Sequence, residues 1–295
     1  MTLPLITLLV IRSERGERGI GAVYAVNTLG AIAGVLLAVH LLMPSLGLKG
    51  LMLTGTSIDM ALAIALLYAA RAQARQWTRT SVTLAGVLLI GVTTVSFELD
   101  PRKLAAGVYR SADVQLPPFW EVLSHEDGKT ATISVVRRHD PDVTVLRTNG
   151  KADASVSTDP QAISDEQTQI LLSAIPLAYR PTATHAAIVG FGSGYTTKAV
   201  LASPKIERVD TIEIEPKVIV AGRWFKFKTA EAFDDPRSHI HIDGAKSYFA
   251  ATGGRYDIII SEPSNPWVSG ISSLFTEEFY TIAARHLKDG GVFTQ

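Results

Sequence analysis

Two patterns of hydrophobic positions divide the chain. Its first hundred residues hold long apolar runs: residues 20–43 and 81–97 contain no Asp, Glu, Lys or Arg, and residues 51–70 contain only Asp59. About 20 apolar residues cross the hydrocarbon core of a bilayer. These runs predict a transmembrane helical region over residues 1–99 with three spans, in a multi-pass protein of the cell inner membrane. From about residue 119 the apolar runs shorten, which is typical of a soluble domain.

Arginines flank the first two runs on the same predicted side: Arg12, Arg15 and Arg18 precede the first run, and Arg71, Arg75 and Arg79 follow the second. The positive-inside rule puts both clusters in the cytoplasm. A third crossing would then place the soluble part outside, away from intracellular nucleoside cofactors. Either the third run is re-entrant or interfacial, or further helices change the count, or the cytoplasmic assumption is wrong. We expect a cytoplasmic soluble domain, against this charge pattern.

The remaining residues predict three segments. Residues 100–118 are polar and end in two prolines, which predicts a linker. Residues 119–180 predict a small antiparallel β-region, with strands at 119–124, 130–138 and 143–148, followed by a helix at 164–177. Within residues 181–295, strands at 186–190, 208–214, 239–242, 256–261 and 291–294 alternate with helices at 195–201, 216–225, 245–250 and 276–287. This alternation predicts a doubly wound α/β domain with a mostly parallel sheet.

The pattern stops within or just after the fifth of these strands, and the first eleven residues are apolar but only half a span long. We therefore expect the chain to be a piece of a longer protein. The 28 basic and 28 acidic residues balance, so nothing predicts general attraction to nucleic acid. The absence of cysteine excludes disulfides, thiolate catalysis and cysteine-ligated zinc.

Glycines and an acid follow the first two strands of the alternating region. Gly190, Gly192 and Gly194 let the backbone turn tightly and approach a ligand, and Glu213 comes about twenty residues later. An acid at that distance accepts the hydroxyls of a ribose in nucleotide-binding folds. Glu215 competes for this role, although a proline after it suits an acid at a helix start. We favour Glu213.

Two further strand ends contain candidate groups. Asp243 and Gly244 follow the third strand and are suited to contact an adenine edge, with ordinary helix capping by the aspartate as the alternative. Glu262 follows the fourth strand within the sequence SEPSNPW. Ligands of open α/β sheets bind beyond the carboxyl ends of the strands, so we expect Glu262 at the rim of a cleft.

Together these motifs resemble the spermidine synthase (polyamine aminopropyltransferase) family, and more closely its membrane-fused bacterial type. The resemblance implies a Rossmann-like, methyltransferase-type fold, decarboxylated S-adenosylmethionine as co-substrate, a small-molecule amine as acceptor and no metal. It also implies contact with a lipid bilayer and allows a homo-oligomer. In that family the glycine turn, Glu213, Asp243 and Gly244 bind the cofactor. Glu262 falls at the catalytic aspartate, which takes the proton of the attacking amine.

The chain departs from the family on the acceptor side. Asn265 replaces a second pocket aspartate, Gln295 matches a pocket glutamine, and a Tyr-His pair is absent from the helix at 164–177. Glutamate at position 262 also advances the carboxylate by one methylene. The amine pocket has therefore lost negative charge, and the acceptor is left open.

Two other functions stay open at this point. A methyltransferase would use ordinary S-adenosylmethionine, and a basic group facing the carboxylate of that cofactor would favour it; Lys198 is the nearest candidate in sequence. A non-catalytic polyamine or nucleoside sensor attached to a membrane domain is the third reading, and the weakened amine pocket supports it.

Overall fold

The computed structural model describes residues 6–8, 16–69, 76–263 and 271–295. The chain divides into two compact units, Met1–Glu98 and Leu99–Gln295. Each unit is described by itself below.

The first unit is helical throughout its described elements. These are α1 (Gly16–Leu37), a π-helical turn (Ala38–Leu42), α2 (Met43–Ala69) and α3 (Gln76–Ser96). Gly47 has φ 65° and ψ −175°, which interrupts the helical backbone near the start of α2. Helices α2 and α3 pack closely, since a Cβ on Gly86 would lie 2.7 Å from the sulfur of Met60.

The three predicted spans are only partly matched by this unit. One helical stretch, Arg18–Ala65, is long and apolar enough to cross a membrane by length and composition, and Thr80–Ser96 is a shorter apolar helix. The first stretch contains most of the first two predicted spans, and the second helix contains most of the third. Four of the arginines used for topology, Arg12, Arg15, Arg71 and Arg75, lie outside the described residues.

The prediction of a linker over residues 100–118 was wrong. This segment holds two short helices, α4 (Pro101–Leu104) and α5 (Val108–Ser111). Ala105 and Leu116 are buried, and they pack with valines of the neighbouring sheet. The Arg102 guanidinium donates hydrogen bonds to the carbonyl oxygens of Leu116, Pro117 and Trp120. The segment is polar on average, yet its few apolar side chains cover one face of the sheet.

The small β-region is an antiparallel sheet of four strands. They are β1 (Glu121–Asp127), β2 (Thr132–His139), β3 (Asp142–Thr148) and β4 (Lys151–Ser157), in that spatial order. The first three were predicted, whereas β4 was missed because its sequence KADASVS has only one large apolar residue. Asn149 and Gly150 both have positive φ, as a tight hairpin turn requires. Their turn joins β3 to β4.

The alternating region is a parallel sheet with helices between its strands. Its strands are β5 (His185–Val189), β6 (Arg208–Glu213), β7 (Ser238–Ile242), β8 (Tyr256–Ser261) and β9 (Leu287–Thr294). The main helices are α6 (Glu166–Tyr179), α7 (Tyr195–Leu201), α8 (Pro216–Gly222), α9 (Lys226–Thr229), α10 (Glu231–Asp234), α11 (Ala245–Ala251) and α12 (Glu277–Arg285). Short 3₁₀ helices span Arg223–Phe225 and Ile271–Phe275.

The strand order is β7-β6-β5-β8-β9, and each neighbouring pair is parallel. Strand β8 is fully buried, as its run of three isoleucines predicted. The chain moves outward from β5 to one edge through β6 and β7, and then returns to the other side with β8. Ligands of such sheets bind where this order reverses, beyond the carboxyl ends of the central strands. This reversal puts the ends of β5, β6 and β8 side by side.

Candidate active site

The glycine turn leads from β5 into α7. Gly190, Gly192 and Gly194 have φ values of 99°, 54° and 81°, a region that residues with a Cβ rarely enter. The phenyl ring of Phe191 is buried and packs edge-on against Phe233, with 5.0 Å between ring centroids. The ring packs in the hydrophobic core and anchors the turn there.

Glu213 ends β6 directly beside this turn. Its Oε2 accepts a hydrogen bond from the backbone N–H of Phe191 at 3.0 Å, and its Oε1 accepts one from the N–H of Glu215 at 2.9 Å. The side chain is 8% exposed, and burial raises the pKa of its carboxyl group. The backbone thus fixes both carboxylate oxygens, and each keeps lone-pair capacity for a hydroxyl donor.

Glu215, the competing acid, has other partners. Its Oε2 accepts hydrogen bonds from the N–H and the hydroxyl of Thr130, at 2.7 and 2.8 Å. Its Oε1 accepts from the N–H of Lys217 at 3.0 Å and so caps α8. The carboxylate also packs against Gly128, because a Cβ on that glycine would lie only 2.3 Å from it. Glu215 therefore joins the β1–β2 hairpin to the parallel sheet and starts a helix.

Asp243 and Gly244 follow β7. The backbone N–H of Asp243 donates to the carbonyl of Glu213 at 3.0 Å, which holds the two strand ends together. The N-cap of α11 is Gly244 rather than Asp243, so the capping alternative for the aspartate does not describe its position. The Asp243 carboxylate is exposed and accepts only the neighbouring Gly244 N–H among described contacts.

Glu262 is the first residue after β8. Its backbone N–H donates to the carbonyl of Val189, the last residue of β5, at 3.1 Å. A Cβ on Gly190 would lie 3.5 Å from the Glu262 carbonyl oxygen. The carboxylate accepts a hydrogen bond from the Thr196 hydroxyl at 2.6 Å. Enclosure away from water raises the pKa of this carboxyl group, and the hydrogen bond from Thr196 opposes that rise.

Three residues around Glu262 were missed by sequence reasoning: Gln169, Ser193 and Thr196. All three are buried, at 2%, 0% and 1% exposure. The Ser193 hydroxyl donates to the side-chain oxygen of Gln169 at 3.3 Å. Thr196 could have been found, because it lies in the first turn of the helix after the glycine turn. Nothing in the local sequence of α6 indicates that the Gln169 side chain contacts the glycine turn.

The two predicted acceptor-side residues have different outcomes. Asn265 lies outside the described residues. The amide of Gln295 donates to the Ser261 hydroxyl at 3.4 Å and to the Leu274 carbonyl at 3.2 Å, and its oxygen accepts from the Tyr280 hydroxyl at 2.7 Å. Gln295 thus lies beside the end of β8, with its amide directed at these neighbours.

The basic group considered for a methyltransferase points elsewhere. The Lys198 ammonium donates to the Lys228 carbonyl at 2.6 Å and lies 5.3 Å from the centre of the Tyr195 ring. No basic side chain contacts Glu213 or Glu262 in the part of the chain that the structure describes. The described strand ends therefore present carboxylates and backbone donors.

Other features of the second unit lie away from these strand ends. Two open cavities of about 520 and 550 Å³ are lined in part by Arg102 and Pro118, and none of their lining residues belongs to the site. Among the described residues, no three His, Cys, Asp or Glu side chains gather as they would around a metal ion.

Comparison with known proteins supports the resemblance to the spermidine synthase family. Residues 166–295 match the family model described as "Spermine/spermidine synthase domain". This part of the chain is therefore similar to spermine/spermidine synthase domains. We refer to residues 166–295 below as the synthase domain.

The curated relatives include the polyamine aminopropyltransferases of Thermotoga maritima, 33% identical over 124 residues, and of Bacillus subtilis, 30% identical over 123 residues. Each match covers 42% of this chain. The chain spans 42% and 44% of the length of these two relatives.

Two solved structures are similar in fold. A spermidine synthase in complex with the transition state analogue AdoDATO has a TM-score of 0.54, and the spermidine synthase of Thermotoga maritima has a TM-score of 0.52. Both are 24% identical, and each match covers 68% of this chain and 67% of the other. The fold of the synthase domain is therefore the expected Rossmann-like, methyltransferase-type fold.

Proposed function

We propose that this chain is an aminopropyltransferase of the spermidine synthase type, attached to a membrane. It would move an aminopropyl group from decarboxylated S-adenosylmethionine to a polyamine or related amine. The observation that carries the proposal is a pair of carboxylates on either side of the glycine turn, the buried Glu213 and the half-buried Glu262. One is suited to hold a nucleoside, and the other to take a proton beside it.

In the proposed reaction the acceptor amine attacks the methylene carbon bonded to the sulfonium. A nitrogen–carbon bond forms, the carbon–sulfur bond breaks, and its electron pair stays on sulfur, which leaves neutral methylthioadenosine. The acceptor amine is protonated at neutral pH, because free alkylamines have pKa values near 10. The Glu262 carboxylate would take one proton from this ammonium before the attack, which frees the nitrogen lone pair, and would release that proton to solvent afterwards.

Burial of Glu262 suits this role. The raised pKa of its carboxyl group makes the carboxylate a stronger proton acceptor than an exposed glutamate. The glycine turn and Glu213 would hold the ribose and adenine, with Asp243 and Gly244 at the adenine side. Gln295 and Asn265 would line the acceptor side. The sulfonium is already an activated leaving group, so the proposed step uses alignment and proton removal.

Binding and turnover by the whole chain in detergent or nanodiscs test the proposal. We expect methylthioadenosine to bind, and decarboxylated S-adenosylmethionine with a panel of diamines to give an aminopropylated product. Tight binding of S-adenosylhomocysteine with no binding of methylthioadenosine would support a methyltransferase instead. Nucleoside binding without turnover of any amine would indicate a sensor. The position of Lys198, turned to a backbone carbonyl, argues against the methyltransferase.

We also propose that the first unit is a multi-pass inner-membrane anchor. The apolar stretch Arg18–Ala65 has 48 residues, about 70 Å as a straight helix, which is more than twice the hydrocarbon thickness of about 30 Å. The break at Gly47 allows it to cross twice. Thr80–Ser96 is apolar over 17 residues at most, which gives about 25 Å, so we place it in the membrane without a full crossing.

This arrangement puts the synthase domain in the cytoplasm, where a nucleoside donor is available. Reporter fusions at the C-terminus of the whole chain test it. A green fluorescent protein should fluoresce and an alkaline phosphatase should be inactive. Active phosphatase would show that the third segment crosses.

A further inference from the structure

We propose that Thr196 is a positioning residue for the Glu262 carboxylate. This inference rests on the proposed function, because it takes Glu262 as the proton acceptor. Thr196 is the second residue of α7, and Glu262 directly follows β8. The Thr196 hydroxyl donates to Oε2 of Glu262 at 2.6 Å, so this hydrogen bond joins two elements across 66 residues of sequence.

The length and direction of this hydrogen bond fit an ionised carboxylate. Hydroxyl donors lie about 2.5–2.7 Å from charged oxygens, closer than from neutral ones. An ionised carboxylate has no hydrogen to give, so the single hydroxyl hydrogen of Thr196 points to Glu262. Thr196 is 1% exposed, and a buried hydroxyl without an acceptor is costly. That cost opposes any rotation of the carboxylate away from Thr196.

The place of Thr196 in its helix leaves the hydroxyl available for this contact. Inside a helix a threonine hydroxyl often bonds the carbonyl four residues earlier, as the Thr229 hydroxyl does with Phe225 at 2.9 Å. The residue four positions before Thr196 is Gly192, which lies in the glycine turn and not in α7. The β-branched side chain also has few rotamers. The hydroxyl is therefore directed to the end of β8 instead of back along its own helix.

The backbone of Thr196 is held from a third element. Its carbonyl oxygen accepts the hydroxyl of Ser173, a buried residue of α6, at 3.2 Å. On its other side, α7 follows Gly194, whose φ of 81° starts the helix directly out of the glycine turn. The segment that would receive the nucleoside therefore continues into the donor that holds the proposed base.

The test uses the whole chain with two substitutions that separate the hydroxyl from the shape of the side chain. Thr196→Val keeps the shape and removes the donor, whereas Thr196→Ser keeps the donor and removes a methyl group. Thr197→Val is the matched control, because Thr197 is also 1% exposed and its hydroxyl bonds that of Thr211 at 2.9 Å. All three variants retain the Asp165 carboxylate, which also acts on Glu262 electrostatically.

Infrared difference titration, with Glu262→Gln to assign the band, reports the protonation of Glu262 whether or not the chain turns over. We expect Thr196→Val to raise the titration midpoint by about one pH unit, because a hydrogen bond to the charged form is lost. The acid limb of kcat/KM should move upward with it, and kcat above that limb should fall about tenfold. Thr196→Ser should titrate as the wild type does. Thr197→Val should lower thermal stability and leave the midpoint unchanged.

An unchanged midpoint in Thr196→Val would overturn the inference, and so would an equal shift in Thr197→Val or in Thr196→Ser. If Thr196→Val does not fold, Thr196→Ala, which removes the hydroxyl without adding bulk, decides by the same measurement. A wild-type chain that turns over no amine would refute the proposed function, while the titration would still show whether Thr196 holds the Glu262 carboxylate.

Discussion

The two carboxylates of the site, the buried Glu213 and the half-buried Glu262, are held in different ways. Glu213 receives backbone N–H groups on both oxygens, whereas the Glu262 carboxylate receives a side-chain donor, the Thr196 hydroxyl. Burial raises the pKa of both carboxyl groups. Backbone donors persist through side-chain substitution, while side-chain donors can be exchanged one at a time. The proposed nucleoside side is therefore held by the backbone, and the proposed acceptor side is open to change by substitution.

The largest effect is expected from Glu262→Gln, which keeps the size of the side chain and removes its basicity. Turnover should fall by about 10²- to 10⁴-fold, the range of general base catalysis. Methylthioadenosine affinity should change little, because the proposed nucleoside contacts are at Glu213. Steady-state kinetics and calorimetry measure both quantities. Glu207→Gln makes the same chemical change at an exposed position and should leave both unchanged. If Glu262→Gln retains turnover, Glu262 is not the base.

Glu213→Gln is expected to weaken nucleoside binding, whereas Glu262→Gln is expected to lower turnover. An amide accepts through one atom only, and its NH₂ group would face a backbone N–H, so the ribose loses a charged acceptor. Methylthioadenosine should bind about 10- to 100-fold more weakly, as for loss of a hydrogen bond to a charged group. Calorimetry checks this. If affinity is retained while kcat falls, the division between the two carboxylates is wrong.

Glu215→Ala separates structural from ligand-binding acids. It removes the α8 cap and leaves the N–H and hydroxyl of Thr130 without their acceptor. We expect a loss of about 1–3 kcal/mol in the free energy of unfolding of the second unit. Below the unfolding transition the folded fraction should bind methylthioadenosine normally. A specific loss of nucleoside affinity would instead make Glu215 the ribose acid.

The smallest effect concerns pH and stability. A carboxyl group whose pKa is raised on folding adds stability below the pKa of the unfolded chain, and that contribution is lost as pH rises through the folded value. Glu262 is such a group. Glu262→Gln should therefore unfold at a higher temperature than the wild type at neutral pH, and the difference should shrink below about pH 4, the ordinary range of glutamate. Thermal unfolding across pH measures it. A constant difference would contradict the raised pKa.

Sequence patterns were sufficient where a local rule determines the structure. Strand Tyr256–Ser261 and helix Tyr195–Leu201 begin and end at the predicted residues, because a buried apolar run and a glycine turn are both local signals. The same reasoning failed for Lys151–Ser157 and for residues 100–118. Small and polar side chains dominate both, and both are ordered by contacts with the rest of the sheet.

The same distinction between local signals and long-range contacts applies to the candidate site. Glycine spacing and an acid at a strand end indicated Gly190, Gly192, Gly194 and Glu213, and the structure brings them together. Gln169 was not predicted, since a glutamine in an amphipathic helix has no local mark of function. Its contact with Ser193 joins two separate elements.

The sequence by itself determined the alternating fold and the residues at each strand end, because hydrophobic period and glycine backbone freedom act over a few neighbouring residues. Only the tertiary structure decided which hydrogen-bond partners each of these acids has. Glu215 meets Thr130 across 85 residues and Glu262 meets Thr196 across 66. Hydrogen bonds at such separations exist only after the strands have paired, so the orientation and proton affinity of these carboxylates are properties of the folded chain.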